Sequence, residues 1–552
     1  MKKIYYIPVL VLSLLFASCG EEFLEQTNLY ETYDIDFYNT PEDIEQALVA
    51  AYSCLNTDWG ANNPTLVANL MSDDCFGGGG VADVGFHDID GFTSTNEDLY
   101  LELWETLYRG IFRTNMIILR FEQAEYEDEN ARKQALGEAY FLRAYFNLKL
   151  AQLWGTFPLI TDPAPVNTPK ATPEKIFGQI ASDLKFAIET MPSTPIGSIS
   201  TDRLGHATKW AAEALMARAF LFYTGYYGAE SISLPDGSAV SKAMVVTWLE
   251  DCMGNSGHGL ISDFRNLWPY AYATGNYAYA ANNNLSWIGE DGANIETMFA
   301  VKYSPYGGWN EPNKLSYSNQ IVLYMSVRGQ DLDPFGLGWG GGTCNPQLWD
   351  SYDDNDFRKK GSIIDVTDSE EGNASTDYLW GQWEAYHETG LWQKKYTAIK
   401  VPYTDASGTE SLKGMFFTMY GSPDDYQLWN MQDEVLIRFA DVLLMHSELT
   451  ETATGMNQLR VRANLPEISY SLEALKKERR HELAFEGLRY YDLLRWGDAE
   501  DAFAEVSNVP VKNVSVDETY TAKYRPETGG FLIIPESQVT LSDGVLEQNP
   551  GW

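Results

Sequence analysis

A chain of 552 residues, 44% of them hydrophobic, is long enough for several average domains and for a large core. Its formal net charge is −39, with no basic run after residue 3; such a surface repels phosphate backbones and excludes nucleic acid as a partner. Aromatic residues make up 14% of the chain (16 Trp, 34 Tyr, 25 Phe), and not all of that load need be buried, so neutral ligands such as sugars stay open.

Residues 1–18 read as a signal peptide. Lys2 and Lys3 form the positive start, and Ile4 to Phe16 form an apolar run too short to span a bilayer. The run ends Leu15-Phe16-Ala17-Ser18-Cys19, which resembles a bacterial lipobox, so the mature chain is expected to begin at a lipidated Cys19 and to continue as a tether over 19–39. The remaining cysteines, Cys54, Cys75, Cys252 and Cys344, include no C-x-x-C, and the six histidines are scattered. Neither a metal site nor a disulfide framework is indicated, and no cofactor is expected.

Residues 40–254 carry helical signals. Thr40-Pro41-Glu42-Asp43 opens a helix to about Leu55, with an N-cap and Pro at the first position. Residues 56–96 read as irregular, with Ser72-Asp73-Asp74 and four glycines at 77–80, either a flexible surface loop or a binding loop. Helical periodicity returns at 97–124 and 129–154. Thr172-Pro173-Glu174 starts another helix to Met191, and further helices fall at 205–226 and near 241–254. Small residues at expected contacts (Ala207, Ala211, Ala214) suggest paired helices of the tetratricopeptide type, although a 34-residue period is not clean. From 255 to 432 that periodicity fades and Trp, Tyr, Asn and Gly dominate. This part reads as a loop-rich lobe whose aromatics, as a group, form a ligand surface.

Residues 433–552 return to helix. The stretch Glu478 to Asp498 (ERRHELAFEGLRYYDLLRWGD) reads as one amphipathic helix with Leu475, Leu483, Tyr490, Leu493 and Leu494 on one arc. Glu482, Glu486 and Arg489 fall in or beside that arc, so they must be paired where buried, and Arg479, Arg480, Arg489 and Arg495 are the nearby partners. His481-Glu482 begins like a zinc-protease motif, but Phe485 replaces the second histidine. Glu482 and Glu486 would imitate a glycosidase pair only if one were kept protonated, and the adjacent arginines argue against that.

The acids, E-G-x-R, Y-D-L and R-W of this stretch resemble the C-terminal signature of the SusD/RagB family, glycan-binding surface lipoproteins of Bacteroidetes. So do EAYFLRAYFNLKLAQLWGTFPLI (from Glu138), Ile437 to Val442, the N-x-x-R-x-R-A segment at 457–463 and the Q-N-P-G-W ending. Glu21 and Glu22 resemble the acidic export signal of such lipoproteins. The resemblance implies a mainly α, tetratricopeptide-like scaffold at the outer membrane, facing the exterior, that captures an oligo- or polysaccharide. It also implies a partner, a SusC-like TonB-dependent transporter. By the same resemblance, the expected glycan contacts are Trp287, Trp309, Tyr303 and Tyr306 in the lobe, with Asp74 and Phe86 from the N-terminal loop. A surface glycoside hydrolase and a peptide-binding helical-repeat scaffold are the alternatives.

Overall fold

The first helix forms where local chemistry demands it. The Thr40 hydroxyl accepts from the Asp43 amide, the Asp43 carboxylate accepts from the Thr40 amide, and Pro41 occupies the first turn. The computed structural model describes residues 37–56, 60–163, 167–304 and 318–552. Helices of eight residues or more among them are labelled α1 (Pro41–Tyr52), α2 (Leu101–Arg120), α3 (Glu129–Trp154), α4 (Pro173–Thr190), α5 (Lys209–Tyr227), α6 (Lys242–Asn255), α7 (Phe439–Thr450), α8 (Thr454–Arg462), α9 (Leu472–Glu482) and α10 (Arg489–Trp496). The molecule is mainly α-helical, as the periodicity and the resemblance imply.

Neighbouring helices pack in sequence, α2 on α3, α3 on α4, α4 on α5 and α5 on α6; α5 also packs on α10, and α6 on α7. The two ends of the chain therefore build one scaffold. α3 is buried almost all round, and its Arg143 makes a two-pronged pair with Asp183 of α4 at 2.8 and 2.6 Å. At the α5–α10 crossing, a Cβ on Gly225 would sit 2.4 Å from the Arg495 carbonyl, so only glycine permits that approach.

Three expectations are corrected. Residues 56–96 are ordered by two short helices, Pro64–Leu70 and Val84–Asp90, and by the strand Cys75–Gly78, which pairs antiparallel with Gly341–Cys344. Residues 433–552, expected to open on helix, open instead on a strand, Glu434–Arg438, paired with Thr297–Val301. The stretch from Glu478 to Asp498 is two helices, because Phe485 (φ +66°) and Gly487 (φ +68°) turn the chain between α9 and α10.

The 255–432 region consists of short helices and two-stranded sheets. About half of its described aromatics are buried. Tyr270, Tyr277 and Tyr279 surround the ammonium of Lys394, which pairs with Glu371, and Trp268, Trp392, Tyr396 and Trp429 are buried too. Among the described residues of this region, Tyr272, Trp380, Trp383 and Tyr420 are the exposed aromatics.

Candidate functional site: an exposed tryptophan platform

The acids of the C-terminal stretch lie in a closed ion network. Arg438 donates to Glu482 Oε1 at 2.6 Å, to Glu486 Oε2 at 2.7 Å and to Glu296 Oε1 at 2.9 Å. Arg358 and Arg462 also hold Glu482, and Lys395 Nζ lies 2.7 Å from Glu486 Oε1. The four arginines expected as partners serve other acids. Arg479 pairs with Asp441 and Asp492, Arg495 with Glu448 and Asp492, and Arg480 and Arg489 with Asp73. Burial alone would raise the Glu482 carboxyl, but the charges of Arg462, Arg438 and Arg358 outweigh it and hold the group well below the usual carboxylate range. Glu482 stays ionised inside the fold, where it cannot serve as a general acid.

Raised carboxyls do occur at Glu290 and Asp433. Burial pushes Glu290 well up and Asp433 to about 6, despite Lys302 Nζ at 2.6 Å from Asp433. The cavity they help to line has room for only about 40 Å³. Ligand sites generally offer ~300 Å³ or more, so no sugar ring reaches this pair.

The surface offers something different at Tyr378–His387. Leu379, Trp380 and Trp383 are 56%, 36% and 48% exposed. Trp383 (φ +48°), Glu384 (φ +56°) and His387 (φ +52°) all occupy the left-handed region, which costs about 1–3 kcal/mol per non-glycine residue. The surrounding hydrogen bonds fix this conformation. Arg328 donates Nε to the Trp383 carbonyl (2.9 Å) and Nη1 to the Trp339 carbonyl (2.6 Å), while Asp83 sits 3.0 Å from the same guanidinium. Glu388, held by the Tyr378 hydroxyl, accepts from the Gly381 amide at 2.7 Å, and Ser515 Oγ donates to the Trp380 carbonyl at 2.7 Å.

The four-glycine run is part of this construction. The Tyr386 amide donates to the Gly79 carbonyl at 3.0 Å, and Gly80 bridges to Ala385. A Cβ on Gly80 would lie 2.1 Å from Arg328 Nη2, and one on Gly329 would lie 2.7 Å from the Trp383 ring. Bare backbone here lets the guanidinium and the indole settle against the chain. The result is an exposed aromatic segment whose backbone is held by hydrogen bonds from several separate parts of the chain. Such faces cover the apolar C–H faces of sugar rings, and their fixed geometry lowers the entropic cost of binding.

The expected contacts are distributed differently. Asp74 is 1% exposed, its Oδ1 accepting from Arg480 Nε at 2.7 Å, so burial withdraws it from any ligand and it ties the N-terminal loop to α9. Phe86 is buried, edge-on to Tyr324 at 5.5 Å, and Tyr324 packs edge-on to Trp339 at 5.0 Å. The Tyr303 hydroxyl turns inward, 3.3 Å from Glu434 Oε2. Trp287 is half-buried between Phe416 and the exposed Tyr272, in a smaller patch with exposed Tyr420. Cys19, Tyr306 and Trp309 lie outside the described residues. The sequence reading missed Trp380, Trp383 and Arg328, although Trp380-Gly381-Gln382-Trp383 has the same aromatic and glycine character as the segments it did select.

Residues 268–552 match the family model described as "SusD family". The chain belongs to the SusD family. Residues 22–221 match a second model of that kind, described as "Starch-binding associating with outer membrane". SusD-like protein P2 of Formosa agariphila is 23% identical over 588 aligned positions, covering 100% of both chains. A SusD-like protein of Bacteroides ovatus is 23% identical over 506 positions, covering 88% of this chain and 81% of its own. Among solved structures, a laminarin-binding SusD-like protein superposes with a TM-score of 0.71 at 23% identity, over 93% of this chain and all of the other. Surface glycan-binding protein A from Bacteroides thetaiotaomicron, in complex with laminarihexaose, gives 0.69 at 20% identity, over 92% and 99%. The SusD fold therefore extends over nearly the whole chain.

Proposed function

We propose that this SusD-family chain is a non-catalytic outer-membrane lipoprotein that captures a polysaccharide or oligosaccharide on the Trp380–Trp383 platform and delivers it to a SusC-like TonB-dependent transporter. The observation that carries the reading is the pair of exposed tryptophans, Trp383 on strained backbone held by Arg328 and Trp380 beside the Gly381 amide held by Glu388. A core gains nothing from holding a large apolar side chain half in solvent on such a backbone. The names of the relatives, which bind laminarin or surface glycan, support sugar as the ligand. The ionised Glu482 and the small cavity beside Glu290 count against a hydrolase. The Trp287 patch is proposed as a secondary contact.

A polysaccharide panel run through affinity gels tests capture. Retention without loss of polymer is expected; depolymerisation would restore the hydrolase, and indifference to every glycan would favour the peptide-binding scaffold. Delivery is tested by co-purifying the lipoprotein with a transporter from outer membranes.

Two further outcomes are expected. Cys19→Ala should lose fatty-acid labelling and membrane attachment, and a variant that still labels with palmitate would end the lipobox reading. Gly329→Ala should push Trp383 off its seat, since the new methyl has no room and φ at residue 329 is +62°. Its glycan affinity should fall by at least about tenfold, which is ~1.4 kcal/mol, in calorimetry. Unchanged affinity would show that the seat of Trp383 does not matter.

A further inference from the structure

We infer that the platform selects neutral glycans and rejects polymers bearing uronate or sulfate groups. This rests on the reading of Trp380 and Trp383 as the glycan surface. Anionic sugars are recognised by cations free to make charge-assisted hydrogen bonds, above all the fork of an arginine.

Both cations placed against this platform are already engaged. Arg328 is bonded by the carbonyls of Trp383 and Trp339 and faces the Asp83 carboxylate, and its side chain is only 14% exposed. Lys512 Nζ lies 5.3 Å from the centre of the Trp380 ring and pairs with Asp517. Taking Arg328 for a ligand would break the bond that holds the Trp383 carbonyl, and taking Lys512 would break its ion pair with Asp517 and its contact with the Trp380 ring.

The remaining charge has the wrong sign for an anion. Asp377 and Glu384 are exposed on the same segment as the tryptophans. With Asp83 and Asp517 they set four carboxylates against two cations. The chain as a whole carries −39, so the long-range field also repels a polyanion. A neutral sugar meets none of these penalties. It needs aromatic faces and hydroxyl partners, which Gln382, Glu384 and the segment's backbone can supply.

The experiment uses the mature full-length chain in affinity gels and calorimetry. The neutral probes are a β-1,3-glucan, a xyloglucan and a galactomannan; the anionic probes are polygalacturonate, alginate and a sulfated galactan. Retention is expected for neutral polymer only, with Kd changing by less than about twofold between low and high salt, because no ion pair forms. An anionic polymer bound within tenfold of the best neutral one, with affinity that falls as salt rises, would overturn the inference. Trp383→Ala separates the two levels. If it abolishes retention of an anionic polymer, the platform stands and the selectivity falls. If a neutral polymer is held equally by wild type and Trp383→Ala, the platform itself is removed and the inference with it. Asp517→Asn, an exposed change, should uncover the Lys512 charge and raise anionic retention. Unchanged exclusion in that variant would overturn the role given to Lys512.

Discussion

Glu482→Gln will destabilise the folded chain by about 3–5 kcal/mol, the usual cost of removing one partner from a buried ion pair. The amide keeps the shape of the side chain but leaves Arg438, Arg462 and Arg358 facing a neutral group in a region closed to water. Differential scanning calorimetry should show the melting transition several degrees lower. Arg132→Gln provides the contrast, because its partner Glu122 is 79% exposed and surface pairs are generally worth ~0–1 kcal/mol. The same network sets the response to acid. Glu482 is held well below the usual carboxylate range, and Asp441, raised by burial but lowered further by Arg218 and Arg479, lies at about 2. Each contributes stability that is full above the unfolded carboxylate value near ~4 and is lost as pH falls through the folded value. Acid unfolding should therefore steepen below about pH 4, and Glu482→Gln should flatten that part of the profile. A variant that melts with the wild type would place the network outside the stability of the fold.

What the sequence revealed was mostly local. Thr40 with Pro41 and Thr172 with Pro173 mark helix starts because an N-cap position and a proline act within one turn, although only the Thr40 side chain makes a cap hydrogen bond. α3 matches its periodic stretch of 129–154 because a long helix accumulates many consistent positions. Partner choice in the ion network was not legible. Glu482 is held by Arg438, Arg462 and Arg358, which lie 44, 20 and 124 residues away, while the neighbouring Arg479 and Arg480 turn to other acids. The break between α9 and α10 was hidden because a 3.6-residue pattern continued across it, and Phe485 carries no local signal for a left-handed conformation. Composition flagged an aromatic lobe, but it could not separate Tyr270, Tyr277 and Tyr279, which enclose Lys394, from Trp380 and Trp383, which face water. That distinction depends on tertiary contacts such as Arg328 to the Trp383 carbonyl, across 55 residues.

Trp383→Ala will weaken binding of the cognate glycan by about 2 kcal/mol or more, roughly thirtyfold, if a few aromatics dominate as at most recognition surfaces. Trp380→Ala should cost less, because that ring is less exposed and Lys512 lies against it. The double variant should fall below detection in calorimetry. Melting should barely move, since the side chain of Trp383 is 48% exposed and gives little to the core. Trp383→Gly sharpens the test. Glycine adopts φ +48° without strain, so this variant should recover part of the ~1–3 kcal/mol stored at that residue, offset by the lost contact with Gly329 and by glycine's greater freedom when unfolded. A variant as stable as wild type, or more so, yet unable to bind would mean that the tryptophan is kept for the ligand and not for the fold. The opposite pattern, with stability lost and full affinity kept, would make Trp383 a packing residue and move the glycan site elsewhere, first to the patch around Trp287 and Tyr272.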